Sequence, residues 1–401
     1  MPAPRPDSGN AVTYAKDIAP LIAKHCSGCH RSGTVAPFSL TSHRAIMARG
    51  DMIAEVVREE RMPPWYGSRK HTEFVNRRAM SANERELLLN WIENGAPVGT
   101  ETLESARPLD GDAPAPSWTI GEPDLIVTVP KPFDVPAEGV IPYQYVILPH
   151  SFAHDTWVQA VQIKPDNHRT VHHCNMAYIS PTEGFKSPAF ITGVVPGGDP
   201  LVLDHDVAFR IPKGSSLVLQ IHYVPTGRPE VCQISVGFRF ARDRVQKQLR
   251  HMRLEDTKFA IPPGAQAHEV TDTGTLECDA IGIGLFSHMH LRGRDMSFIS
   301  HPPDEAAQEL LVIPNYSFSW QHSYRWEYGA ARFRKGTRIQ CVAHYDNSAF
   351  NPYNPDSTVT VKEGPQTFHE MMNGFFFYVD ADEQLDLAID SKGEAKEDGG
   401  R

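Results

Sequence analysis

Ile281–Met296, IGIGLFSHMHLRGRDM, is the stretch from which the rest of the chain can be read. Ile281 to Phe286 is apolar apart from its glycines, and Gly293 follows soon after, so the segment predicts a β-strand ending at a turn. His288 and His290 lie two apart at that end. Residues two apart on a strand point to the same face. Two imidazoles so placed can chelate one metal ion, and imidazole suits copper, zinc, iron and nickel. The same spacing fits two half-buried histidines of an ordinary sheet, so the neighbouring segments must decide.

Working backwards, Leu125–Val129, Tyr143–Leu148, Thr156–Ile163 and Ser216–Tyr223 are short β-rich runs separated by Pro and Gly. That pattern predicts an all-β sandwich or jelly roll. Inside it, Thr170–Met176 (TVHHCNM) carries His172 and His173 side by side. On a flat strand they would face opposite ways, so sharing one metal requires a bend or bulge. His222, in Leu219–Tyr223 (LQIHY), lies on an alternating strand and could add a third imidazole, or be a core or edge histidine. Three imidazoles from two strands suit copper. Working forwards, Thr367–Phe375 (TFHEMMNGF) offers Met371 just before the apolar run Phe375–Val379. A methionine is usually core, but its soft thioether favours Cu(I) over zinc when it does ligate.

The first hundred residues have a different period. Asp17–Lys24, Asp51–Glu60 and Ser81–Asn94 predict helices. Pro20 is confined to a first turn, Ser81 with Glu84 to a capping box, and Gly95 to a C-terminal stop. The first helix runs into Cys26-Ser27-Gly28-Cys29-His30. C-x-x-C-H is the attachment motif of c-type haem: the thiols add to the vinyl groups and the histidine binds iron from one side. A thioredoxin-like pair would need a nearby βαβ pattern, and a zinc half-site a second cysteine pair; neither is evident. Met62, in RMPPW (Arg61–Trp65), is the candidate second axial ligand, with Met80 the weaker alternative and Met47 and Met52 expected in the core. His/Met ligation raises a haem's potential. These helices, with C-x-x-C-H early and M-P-P-W later, resemble a class I cytochrome c domain over Val12–Gly99, which implies electron transfer.

Arg107–Ser117 (RPLDGDAPAPS) predicts a linker. The chain has 401 residues, enough for two or three domains. Its net charge of −10 argues against a nucleic-acid partner. No apolar run approaches the ~20 residues needed to span a bilayer. No leader is visible in Met1–Asn10. Beyond the haem motif, Cys174, Cys232, Cys278 and Cys341 could form two bridges in an oxidising compartment or remain buried thiols.

Taken in order, H-H, L-Q-x-H-Y, H-x-H and E-M before a strand resemble the copper type II, ascorbate-dependent monooxygenases, over roughly Pro123–Asp382. The resemblance implies two jelly-roll-like domains, each with one copper. His172, His173 and His222 would hold the electron-transfer copper; His288, His290 and Met371 would hold the copper that activates O2. Gln220 and Asn373 match positions near the family's sites. Phe286 and Phe375 stand where the peptide-hydroxylating members use an arginine and a tyrosine to hold a carboxylate, which points to an apolar or aromatic substrate. The family's cysteine after the ligand methionine is Met372 here, so one family disulfide is absent. His344, in CVAHYDNS, is a candidate contact of substrate or ligands. The implied cofactors are two copper ions, covalent haem c and an external reductant, either ascorbate or a redox partner protein.

The expectation is therefore a multidomain chain. A small all-α cytochrome c domain (1–105) and a linker (106–122) precede two all-β jelly-roll-like sandwich domains (123–245 and 246–385) and a disordered tail (386–401). The expected activity is O2-dependent hydroxylation of a small organic substrate with a haem relay; the alternative is a non-enzymatic haem/copper electron carrier, or a binding sandwich with structural zinc. Haem attachment and copper loading point to a periplasmic or exported protein whose leader has been removed. The bridges would be Cys174–Cys232 and Cys278–Cys341.

Overall fold

The structure, a computed structural model, describes residues 12–32, 34, 36–68, 70, 74–99, 118–182, 189–195, 198–204 and 206–396; the predicted linker lies outside them. It divides into two compact units, Met1–Trp65 with Arg77–Ser117, and Tyr66–Asn76 with Trp118–Arg401.

In the first unit a π-helical turn, Tyr14–Ile18, leads into α-helices Ala19–His25, His43–Met47, Gly50–Arg58 and Ala82–Glu93. Pro20 sits in the first turn of its helix, where its missing N–H costs nothing. Ser81 and Glu84 form the reciprocal capping box, and Gly95 ends that helix at φ 80°. Ile18, Ile22, Ile46 and Leu88 close a small core with Trp91. Met80 is buried in that core, whereas Met47 and Met52, expected there, are 36% and 50% exposed.

Glu84 also accepts from Lys24 Nζ (2.8 Å) and faces His25 (3.1 Å), and these partners hold its carboxyl well below the usual carboxylate range. A depressed carboxylate stabilises the fold above the unfolded pKa, and that contribution is lost as pH falls. Glu84→Gln should therefore weaken amide-exchange protection of 82–93 at neutral pH by about 0.5–1 kcal/mol. The difference from wild type should start to shrink below about pH 5 and close only as pH falls through the depressed folded pKa, well below the usual carboxylate range. A difference constant with pH would assign the effect to packing.

The second unit overturns the expected fold class. The described residues are 39% strand and only 11% helix, with four short α-helices among them. The chain is thus neither an all-α cytochrome c domain followed by two jelly rolls nor three separate bodies. Its principal sheets have six, five, four and four strands and form a four-blade, propeller-like arrangement, with two small ribbons beside them. The reason lies in the core. Ile281, Ile283 and Val379, from the expected second sandwich, are buried in one cluster with Val161, Ile221 and Phe238 from the first. A shared core leaves no seam at residue 245. The segment Tyr66–Asn76 also belongs to this unit: Asn76 Nδ2 donates to the Ser323 carbonyl, its Oδ1 accepts from the Arg325 N–H, and Phe74 packs on Tyr324 and Trp326. These contacts cover the exposed edge of strand Ser323–Arg325.

Locally, the strand predictions fit closely. Thr156–Pro165, Ser216–Tyr223, Ala280–His288 and Asn373–Asp380 are strands. The expected disordered tail differs. Residues 391–396 fold back: the Gly393 carbonyl accepts the Trp157 N–H at 2.7 Å, and Lys396 N–H reaches the Ala388 carbonyl at 2.8 Å. All six cysteines are unbridged. Cys174 and Cys232 share a core, and burial with each other's proximity pushes the Cys174 thiol up. Cys341 is buried in the strand Arg338–Tyr345, opposite Asp272 and Phe298, with no bond to Cys278.

Candidate metal centre

Strand Val171–Ile179 pairs antiparallel with Ser216–Tyr223, matching Val171 with Tyr223 and then His173 with His222. His172 is the extra residue in that register, a bulge that turns it toward its neighbour. This is the bend that two adjacent histidines need in order to share a ligand. The side-chain nitrogens of His172, His173 and His222 lie within 4.8 Å of one another, with ring centroids 5.1–5.4 Å apart. His173 Nε2 and His222 Nδ1 are buried without a partner among the described residues. Unpaired buried nitrogens are costly, and a shared metal ion would satisfy them.

The second set forms where strand Ala280–His288 ends. His288 is paired with Asn373, so the strand carrying Asn373 enters beside the H-x-H turn. The His288 and His290 rings are 5.1 Å apart. His288 Nδ1 donates to Gln321 Oε1 (2.6 Å) and His290 Nδ1 to the His369 carbonyl (3.2 Å). An Nδ1 held by an oxygen acceptor leaves Nε2 as the lone-pair donor, and His290 Nε2 is indeed buried without a partner. Asn373 lies 3.6 Å from Met371 Sδ.

Burial lowers every one of these imidazole pKa values, to about 4 for His172 and His222 and well below the ordinary value for His173 and His290. His288 shifts in the same direction, with Gln321 opposing. All five are neutral at pH 7, the form that binds metal. The donor set of five imidazoles and one thioether suits copper.

The two sets adjoin each other. His173 and His288 ring centroids are 6.4 Å apart, and Phe318 lies among the rings of His172, His173, His222 and His290 at 4.9–6.2 Å. Sequence spacing gives no sign of this, because His173 and His288 are brought together only by the shared core.

Several residues were not singled out in the sequence. Phe318 and Gln321 lie in a short irregular segment with no period to mark them. Tyr143 packs its ring against His173 and His222 (5.4 and 4.8 Å) with its hydroxyl buried and unpartnered among the described residues. Glu370 is fully buried; its carboxylate accepts the N–H of His290 (2.8 Å), Arg292 (2.6 Å) and Met371 (3.3 Å). It thereby pins the H-x-H turn to the residue before the thioether. An acid inside an apolar run was the available signal.

Of the other candidates, Gln220 lies two pairs along from His222 and bonds Asn175 (3.2 Å) and Tyr145 (2.9 Å). Phe286 and Phe375 cluster with Phe190 at 4.8–6.0 Å. His344 is held between Asp295 (2.6 Å) and Glu269 (3.4 Å), an ion-pairing position on its strand with no recorded contact to the metal-site histidines.

In the first unit, Cys26 caps the helix Ala19–His25, and the Cys29 and His30 N–H groups both return to its carbonyl. Both thiols are half-buried and unbridged. His30 Nδ1 donates to the Phe38 carbonyl at 3.1 Å, again leaving Nε2 for a metal. The residues fit covalent haem. Met62 is half-buried, in the loop after the helix Gly50–Arg58.

No family model and no curated protein matches the chain. Solved structures similar to part of it include a presumed secreted protein from Eubacterium rectale (9% identity, TM-score 0.18, 59% of this chain and 68% of that one). The infectious bursal disease virus Gx strain is another (8% identity, TM-score 0.20, 65% and 73%). Likeness at that level carries no functional argument.

Replacing Gln321 with leucine removes the acceptor that orients His288. Copper affinity, measured by chelator competition, should fall 10–100-fold for one of two ions, the range of about 10–100 typical for such partners. An unchanged titration would exclude His288 Nε2 as a ligand.

Proposed function

We propose that the chain is a copper-dependent monooxygenase that hydroxylates a C–H bond of a small organic substrate with O2, its electrons passing through covalent haem c. The observation that carries this reading is the pair of adjoining histidine sets, five neutral imidazoles of which His173, His222 and His290 each keep a buried nitrogen without a partner among the described residues, with the Met371 backbone tied to that of His290 through Glu370. Copper, when bound, would supply one-electron redox chemistry and O2 activation, and haem c would supply a one-electron relay from ascorbate or a redox protein. The overall balance takes two electrons from the substrate's C–H bond and two from the reductant, giving the alcohol and one water.

The chain's own residues divide that work. His172, His173 and His222 would hold one ion, and His288, His290 and Met371 the other. Gln321 and the His369 carbonyl fix the ring orientations. Burial excludes water and keeps the imidazoles deprotonated. Cys26, Cys29 and His30 would hold the haem, with Met62 as its second axial ligand. Covalent haem and copper of this kind would fit a periplasmic or exported protein. Among the described residues, no helix is long and apolar enough to cross a membrane.

The test is copper per haem after reconstitution and desalting, together with Cu(II) EPR. Two coppers per haem are expected. With His173 and His288 rings 6.4 Å apart, the fully loaded spectrum should be broadened relative to the half-loaded one. Copper near zero, or zinc in its place, would overturn the reading. Copper bound with no product from any reductant and substrate would favour a simple electron carrier.

A further inference from the structure

Beside the H-x-H strand lies a cleft open to solvent. One wall is Phe190, Ile191 and Thr192; the opposite wall is the paired strands Ala280–His288 and Ser323–Arg325. Their register matches Phe286 with Ser323 and Gly284 with Arg325. Continued two residues further, it brings Gln321 to His288, in keeping with the 2.6 Å hydrogen bond between them. Alternation then places Gln321, Ser323 and Arg325 on the same face as Phe286 and His288. Phe286 stacks on Phe190 of the facing wall, so this is the face turned into the cleft. Leu285 and Tyr324 point the other way, into the core, where Tyr324 meets Phe74.

The cleft therefore has an order along its length. At one end Gln321 holds a ligand imidazole of the metal centre. Apolar walls of Phe190, Phe286, Leu201 and Phe377 follow. At the far end stands Arg325, four residues on from Gln321, or about 13 Å along an extended strand. Its backbone N–H is taken by Asn76, but its guanidinium has no hydrogen bond or ion pair among the described residues. Asp199, the one acid in the lining, is engaged elsewhere. A planar fork of five donors is a carboxylate reader, and here it faces an apolar slot.

We infer that the cleft binds an elongated apolar carboxylic acid, with the carboxylate on Arg325 and the opposite, C–H-bearing end toward His288. The inference deepens the proposed function and rests on it for the direction of the reacting end. Recognition of the acid rests on the cleft alone. A substrate of this kind leaves about 10 Å between its charge and the carbon that reacts, given the strand spacing. It differs from a ligand held by a charge next to the metal, where this chain has Phe286.

The probes are 2-naphthylacetate, its neutral amide 2-naphthylacetamide, and cationic 2-(2-naphthyl)ethylamine. Binding is measured by calorimetry on the full-length protein with and without copper. The acid should bind at least about ten-fold more tightly than the amide, the range for a hydrogen-bonded charge, and the amine most weakly. Arg325→Gln should abolish the preference for the acid while leaving the amide's affinity unchanged; Arg325→Lys should keep part of it. Phe190→Ala should weaken acid and amide alike. Equal binding of acid and amide to wild type, an Arg325→Gln loss shared equally by both, or tightest binding of the amine would each overturn the inference. The copper-free arm separates the two proposals: acid preference without copper uptake sinks the monooxygenase and leaves the cleft, and copper uptake without acid preference does the reverse.

Discussion

Met371→Leu should leave a protein that folds, takes up haem, binds one copper normally and yields no product. The substitution keeps side-chain volume, so packing changes cost less than about 1.5 kcal/mol. What is lost is the soft donor. Outer partners of metal ligands typically cost 10–100-fold when removed, so loss of a ligand itself should lower turnover by more than about 100-fold. The structure gives this residue its place in two ways. Strand pairing ends with His288 opposite Asn373, and its continuation sets Met371 across from His290. The Glu370 carboxylate binds the N–H groups of both His290 and Met371, fixing the two chain segments to each other. The check is product per O2 consumed, alongside copper stoichiometry. Full activity in the variant would remove Met371 from the site and with it the reason to choose copper over zinc. Loss of both coppers would show that the adjoining sets assemble as a unit.

Glu370→Ala should have the largest effect on stability of any single change to the site. The carboxylate is fully buried and takes three backbone N–H groups. Arg292 is also 1% exposed, and its guanidinium is spent on Asn347 and the Phe368 and Asp356 carbonyls, with the Glu370 charge its nearby electrostatic partner. Truncation strands three backbone donors and removes one of the two acids, Glu370 and Asp356, that lie near the buried Arg292, a loss of about 3–5 kcal/mol. For a unit of this size that lowers Tm by roughly 10 °C. Burial pushes the carboxyl up to about 8 while the three N–H groups and Arg292 pull it down. Glu370→Gln should therefore be milder than alanine in volume but should still lose the acceptors that its amide NH2 turns away. Differential scanning calorimetry of the copper-free protein is the check. A Tm within about 2 °C of wild type would mean that water replaces the carboxylate and that the turn is held by packing.

Local structure was legible because it depends on local rules. The alternation of Ser216–Tyr223, the Pro20 and Ser81/Glu84 signals, and the strand that ends at His288 all follow from the preferences of a few consecutive residues. The bulge at His172 was legible too, since two adjacent histidines can share a ligand only if the strand deforms there. The domain plan was not. Residues Pro123–Asp382 suggested two sandwiches, each with its own core, but an apolar face carries no label for the sheet it will cover. Ile283 and Val379 were free to join Val161 and Phe238, and they did. The guessed bridges failed for a related reason, since cysteine spacing says nothing of which strands will lie side by side.

By itself, the sequence determined which side chains can bind metal, haem or an apolar ligand, and the periodicity of the segments that carry them. Only the tertiary structure decided that the rings of His173 and His288, more than a hundred residues apart, lie 6.4 Å from each other. It alone decided that Glu370 ties His290 to Met371, and that the Arg325 guanidinium lines the cleft with no partner among the described residues. The physical reason is that side-chain chemistry and strand alternation are properties of neighbouring residues, whereas distance between segments follows from which apolar faces are buried against each other.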